Sequence, residues 1–199
     1  MSEPQRARLN PQDRRAQLVA AGVNFLTDHT LDELTMDELA RLAGVSRALL
    51  FHYFETRQGM QLAVVTTARD SLLLATTPRE DLAPRERVRD TLLRITQFVQ
   101  QHHGTFYSMV RGAASGDPAV RVIIDESREL NAERLREAFI ELGLADTTLL
   151  RVALRSWVAF AEESLISLAI ERNTAADEVV QFLEASLHGM VNSIHDQRL

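Results

Sequence analysis

At 199 residues and 45% apolar content, the chain can build one large domain or a small head with a larger body, and global disorder is excluded. It contains no cysteine, which excludes disulfides, a thiol nucleophile and cysteine-ligated metal. The formal charge is −6 and every cation is an arginine; residues 1–60 hold seven arginines against eight acids. Any nucleic-acid contact must therefore rest on placed arginines and helix N-termini, not on a broad positive field.

Residues 1–10 carry Arg6 and Arg8 and read either as an untidy terminus or as a charged minor-groove arm. They lack the apolar stretch of a signal peptide, and no apolar run approaches the ~18 residues of a membrane span. A cytoplasmic protein outside the membrane is the expectation. Asn10-Pro11 supplies a cap and a proline at the first helical position. The helix it opens is predicted to reach about Thr27, with Leu18, Val19, Ala21, Gly22, Phe25 and Leu26 inward.

The most informative stretch is Thr35 to Arg57, TMDELARLAGVSRALLFHYFETR. Thr35 with Glu38 three residues later forms a capping box, and Met36, Leu39, Ala40 and Ala43 give an apolar helical face. Gly44 tolerates the left-handed backbone that ends the helix, Val45 plugs the gap, and Ser46 caps a second, short helix from Arg47 to Phe54. This is a helix-turn-helix whose second helix has the size to enter a major groove. Arg47, just inside its N-terminus, is placed to pair with guanine O6 and N7, or else to clamp a phosphate. Ala48 can touch only a thymine methyl. His52 and Tyr53 are predicted to face phosphates, with Leu50 and Phe54 turned into the core. Thr35 serves as cap and phosphate donor together, Ser46 at its own cap belongs to the same DNA-binding set, and Arg57 opens the next helix as a phosphate contact.

With its Thr-capped helix, Ala-Gly-Val-Ser turn, His52-Tyr53-Phe54 ending and Arg57, residues 11 to 60 resemble the tetracycline-repressor (TetR) family of transcriptional regulators. In that family the positions of Leu49 and Phe51 often carry Thr and Tyr, whose hydroxyls reach the DNA backbone, and that of Arg57 usually carries Lys. Here both hydroxyls are missing, which takes away that backbone anchoring at Leu49 and Phe51 and leaves Leu49 for apolar base contact or plain packing.

Beyond Glu55-Thr56 only helices are predicted, up to Thr76-Thr77-Pro78, from Pro84 to about His103, from Thr105 to Ala114, from the Ser115-Gly116-Asp117-Pro118 loop to about Leu142, from Thr147 to Glu171, and from Ala175 to Ile194. The expected fold is all-α with about nine helices: a helix-turn-helix head in residues 1–55 and a larger effector-binding and dimerisation bundle in residues 56–199. On a helical wheel, Leu150, Ala153, Leu154, Trp157, Ala161, Leu165 and Leu168 form a core face, with Arg151, Arg155 and Glu162 opposite as a solvated stripe. A second lane, Leu149, Val152, Ser156, Glu163, Ser167 and Ile170, suits the close approach of another helix. The last helix is too apolar for one contact face, so the last two helices are expected to make a homodimer, where the family resemblance also places it.

Phe98, His102, Phe106, Tyr107, Met109, Trp157 and Phe160 come from three segments that a bundle could gather into a cavity lining, or into an ordinary aromatic core. Glu163 is either a polar pocket group or an interfacial ion-pair partner, and Arg111 either receives an anionic ligand or is solvated. His102 and His103 point about 100° apart and do not chelate a metal, while His188 and His195 belong to the surface or the dimer seam. No cofactor or metal is implied. An enzyme is disfavoured because the chain has no Cys nucleophile, no glycine-rich phosphate loop and no His/carboxylate set at ligand spacing. The resemblance implies a ligand-responsive repressor that binds a palindromic DNA operator as a homodimer and responds to a small-molecule effector. The alternative is a helical protein-interaction module with a purely structural helix-turn-helix.

Overall fold

The computed structural model describes residues 10–112 and 118–196, with only the backbone of His195 and Asp196. The Arg6/Arg8 arm, the Ser115-Gly116-Asp117 loop and the His195 side chain lie outside the described residues. Nine α-helices and no strand occur among them: α1 (Pro11–Phe25), α2 (Met36–Ala43), α3 (Arg47–Phe54), α4 (Arg57–Ala75), α5 (Pro84–Gln101), α6 (His103–Gly112), α7 (Pro118–Glu141), α8 (Thr148–Ser164) and α9 (Ala176–Asp196). A 3-10 turn (Leu31–Glu33) links α1 to α2, and a π turn (Leu165–Ile170) closes α8 where an unbroken α-helix to Glu171 was expected.

Side-chain caps set the start of five of these helices. Asn10, Thr35, Ser46, Thr56 and Thr147 each accept a hydrogen bond from the backbone N–H three residues on, at 2.8, 3.1, 3.3, 3.0 and 3.1 Å. Each contributes about 1 kcal/mol. The predicted box at Thr35 is only half made, because Glu38 turns outward to bind Arg41. The reciprocal box forms one turn earlier, where Glu33 accepts from the Thr30 N–H at 2.7 Å. Those bonds to Thr30 hold the Glu33 carboxyl below its usual range. Gly44 adopts φ 63°, ψ 39°, and Val45 N–H reaches back to the Ala40 carbonyl at 3.0 Å.

One continuous hydrophobic core runs from Leu18 of α1 through Leu39, Leu50, Met60 and Val64 to Leu154, Ile166, Leu183 and Leu187. Helix α4 packs along α1 and also against α7, so it belongs to head and body at once. Helices α7, α8 and α9 pack in succession, and α5 lies against α7, α9 and the π turn.

Candidate functional site

The helix-turn-helix buries Leu50 and Phe54 and leaves Arg47, Ala48, Phe51 and His52 exposed on one face of α3, as the spacing predicted. Leu49 and Tyr53 are half-buried, and the Tyr53 ring meets His52 edge-on at 5.3 Å. Arg47 is held rather than free: its Nε lies 3.0 Å from Asp37 of α2, and its guanidinium sits 5.8 Å from the Phe51 ring centre. Phe51, which lacks a hydroxyl, thus serves as a shelf for the arginine beside it.

Arg57 differs from expectation. Its guanidinium donates to the carbonyls of Asp32 at 2.6 Å and Leu34 at 3.4 Å, while Gln61 donates to Leu31 and Leu34. Four donor contacts tie α4 to the carbonyls of the 3-10 turn and of Leu34 that follows it. The residue therefore braces the head as well as lying at its surface.

A cavity of about 110 Å³ opens in the body, enclosed by α4, α5, α6, α7, α8 and the π turn. Of the aromatic and polar residues proposed to gather there, Phe106, Met109 and Trp157 do line it. The Trp157 indole N–H is satisfied by Ser186 of α9 at 3.0 Å, so the ring offers the cavity an apolar face.

The others lie elsewhere. The rings of Phe98 and His102 meet at a tilt, 4.5 Å between centres, at the end of α5. Tyr107 is exposed beneath Arg111, which pairs with Glu163 at 2.9 Å on the surface. Phe160 projects from α8 and meets Phe182 of α9 at 5.9 Å. On α8 helical phase is the reason: at 100° per residue, Phe160 and Glu163 fall about 100° and about 160° from the centre of the face that Trp157, Ala161 and Leu165 share.

Glu162 reverses the wheel prediction of a solvated stripe. It lines the cavity and binds Arg128 at 2.7 Å, because α7 covers that side of α8. Burial pushes its carboxyl above the usual range, against the pull of Arg128. His188 is half-buried, its ring set edge-on to that of Phe139 at 6.3 Å between centres. Polar lining residues missed by the sequence reading include Thr91, Asn131 and Arg134. Arg134 sits among charged neighbours in a helix that reads as solvated, so no sequence signal marks it.

The head meets the body at α6. Gly104 N–H donates to the Thr27 carbonyl at 3.2 Å, and Leu31 N–H donates to Ser108 Oγ at 3.1 Å in a buried contact. Phe106 and Met109 lie on the same helix and face the cavity. The spacing of small residues at 104 and 108 was the available signal, since one helical turn separates them.

On the far side, α8 and α9 leave an unpartnered lane. Leu149, Val152, Phe160 and Phe182 are 50%, 58%, 43% and 46% exposed. Ser156, Ala159, Ala185 and Gly189 between them are exposed and small.

Residues 18–64 match the family model for bacterial regulatory proteins of the tetR family. Residues 84–189 match the tetracyclin repressor-like C-terminal domain. The chain is 29% identical over 130 residues to the HTH-type transcriptional regulator BetI of Rhizobium meliloti, covering 61% of this chain and 63% of that protein. It is 32% identical over 59 residues to EthR of Mycobacterium tuberculosis, covering 30% and 27%. It thus spans less than two thirds of the curated relatives it matches. A tetR-family transcriptional regulator from Streptomyces coelicolor shares the fold with a TM-score of 0.81 at 23% identity, over 96% of this chain and 86% of that one. A TetR-like regulator from Rhodococcus sp. RHA1 gives 0.71 at 22%, over 89% and 95%. With one model on the head and another on more than half of the chain, the protein belongs to the tetR family of bacterial regulatory proteins.

Proposed function

We propose that this protein is a homodimeric transcriptional repressor that reads a palindromic operator with α3 and releases or grips it in response to a small molecule in the body cavity. The observation that carries the reading is α6, one helix bonded to the head through Gly104 and Ser108 and lining the cavity through Phe106 and Met109. A ligand that favours one position of α6 alters the head by the same free energy with which it discriminates the two positions. For function, the chain divides near residue 55, into a reading head and a responding body.

Arg47, Ala48, Phe51 and His52 form the DNA-facing set on α3, with the Thr35 and Ser46 caps, half-buried Leu49 and Tyr53, and Arg57 around them. Two heads are needed, because half-sites lie about one helical turn of DNA apart, roughly 34–36 Å, or a multiple of it. The apolar and small-residue lane on α8 and α9 supplies the dimer contact, in which two helices from each copy make a four-helix interface. Among the described residues no helix is long and apolar enough to cross a membrane, and we place the protein in the cytoplasm with its DNA.

Selection of bound duplexes from a random pool at low salt tests this reading. An enriched palindrome, with a salt slope corresponding to a handful of phosphate contacts for each head, is expected. No enrichment of any sequence would refute operator binding and leave a protein-interaction module.

A further inference from the structure

The charges around the cavity are unevenly placed. Arg69 pairs with Asp70 at 2.8 Å and Glu126 at 3.2 Å, and Arg87 pairs with Glu141. The two arginine side chains are only 17% and 14% exposed, whereas their three acid partners are 61%, 61% and 49% exposed. Positive ends therefore line the space while negative ends stand in solvent, where water and salt screen them. The one acid in the lining, Glu162, is covered by Arg128.

Arg134 of α7 stands apart from this pattern. No carboxylate lies within 4.0 Å of it among the described residues, and its guanidinium donates only to neutral oxygens, Asn131 Oδ1 and the Leu73 carbonyl, both at 3.4 Å. Burial and the neighbouring charge of Arg94 both work against its protonated form, and Glu137, three residues on, offsets them only in part. An arginine keeps its proton in proteins, so that cost stays in place until an anion arrives. On α5, one turn before Arg94, Thr91 Oγ1 lines the same cavity, shut from solvent and without a hydrogen-bond partner. Buried polar groups without partners are rare, and each calls for an explanation.

We infer that the effector is an apolar monocarboxylate, its hydrocarbon body on Phe106, Met109 and the Trp157 ring and its carboxylate bound by Arg134 and the Thr91 hydroxyl. The inference rests on the effector reading above and adds the charge class. A cationic ligand would meet like charge from Arg134, and a neutral one would leave that charge unpaired. The bidentate guanidinium–carboxylate geometry favours a planar carboxylate head.

Calorimetric titration of the full chain with octanoate, octanamide and octylamine, which share one apolar body, tests it. Octanoate should bind about ten- to hundredfold more tightly than octanamide, the range of one charge-assisted contact, and octylamine should not bind measurably. In Arg134→Gln the acid-to-amide ratio should fall toward one while octanamide binding persists. Arg134→Lys should keep a preference for the acid, and Thr91→Val should weaken octanoate more than octanamide. Equal affinities for acid and amide in the unmodified protein, or a preference for the amine, would overturn the charge inference and leave the effector reading standing. An Arg134→Gln variant that keeps the full acid preference would do the same. No binding of any of the three would overturn the cavity as an effector site, and the inference with it.

Discussion

Replacing Gly104 with alanine should break the junction between head and body. A Cβ there would stand 2.4 Å from the Leu26 carbonyl oxygen, 2.6 Å from that of Thr27 and 3.0 Å from the Thr27 carbonyl carbon. Ordinary contact begins at 3.4 Å, so α6 must retreat by about 1 Å, and the obstacle is backbone that cannot rotate aside. Overpacking of this kind costs about 1–3 kcal/mol. The Gly104–Thr27 and Leu31–Ser108 hydrogen bonds lengthen with it, at about 1 kcal/mol each. Together these give about 3–5 kcal/mol, or roughly 10 °C in Tm at about 2–4 °C per kcal/mol for a chain of this size.

Urea and thermal unfolding of Gly104→Ala beside the unmodified chain measure that loss directly. The companion Ser108→Ala removes only the acceptor of the buried Leu31 N–H, and should cost about 1–3 kcal/mol. Operator affinity with and without a cavity-bound ligand reads the coupling, and the ratio should move toward one in both variants. A Tm within 2 °C of the unmodified protein for Gly104→Ala would refute the junction as described.

Arg47→Ala should weaken operator binding by about 1–3 kcal/mol and erase the preference for one base in duplex selection, whereas Asp37→Asn, which frees the guanidinium, should tighten it at low salt; unchanged affinity and base preference for Arg47→Ala would remove α3 as the reading helix. Phe182→Glu puts a charge in the middle of the exposed α8–α9 lane and should yield monomers in sedimentation equilibrium; an intact dimer would move the interface elsewhere. Glu162 takes up a proton on folding between its ordinary value of 4.5 and its raised folded value, so the stability of the unmodified chain relative to Glu162→Gln should fall as pH rises through that window and stay low above it; urea unfolding at several pH values would refute this if the difference grew instead. Glu55 holds φ 61°, ψ −47° in a three-residue turn closed by a 2.6 Å bond from Thr56 N–H to the Phe54 carbonyl, so Glu55→Gly should stabilise the joint between α3 and α4 by about 1 kcal/mol; a lower Tm would show that the side chain is needed there.

The head was legible because its instructions are local. Thr35, Gly44 and Ser46 act on backbone within four residues of themselves, so their spacing fixes two short helices and the turn between them. Leu50 and Phe54, one turn apart, declare the buried face of α3 in the same way. The cavity was not legible, because its walls come from six elements and depend on the phase of each. Phe160 and Trp157 are three residues apart and look equivalent in composition, yet one faces the lane on α8 and the other the interior. Glu162 looked solvated for want of a neighbour in the sequence; Arg128, its partner, is 34 residues away on α7. Long-range ion pairs of this kind decide which charges are buried, and no periodicity encodes them. Arg57 was read correctly as opening α4, but the carbonyls it binds belong to a 3-10 turn that no pattern announced and to Leu34 after it.

The geometry of α6 also bounds what a ligand must do. Turning a 1:99 population into 99:1 takes about 5.5 kcal/mol of differential affinity. The two hydrogen bonds to the head supply about 2 kcal/mol between them, or more where a buried donor is left without a partner. The remainder must come from packing, and Phe106 and Met109 are the buried side chains of α6 that touch the cavity. A ligand discriminates two states only if it presses on a wall of the cavity that can yield. Helices α7 and α8 are the costly ones to move, being pinned to each other by Arg128–Glu162 and Arg155–Asp125. Helix α6 has 10 residues, about 15 Å of rigid rod, with the cavity on one side and the Thr27 and Leu31 backbone on the other. A displacement of about 1 Å, the same distance an alanine at Gly104 would impose, takes both head contacts out of hydrogen-bond range. A ligand that shifts α6 by that amount and the Gly104→Ala substitution should therefore drive the head toward the same state, and the substitution should mimic the ligand in an operator-binding assay.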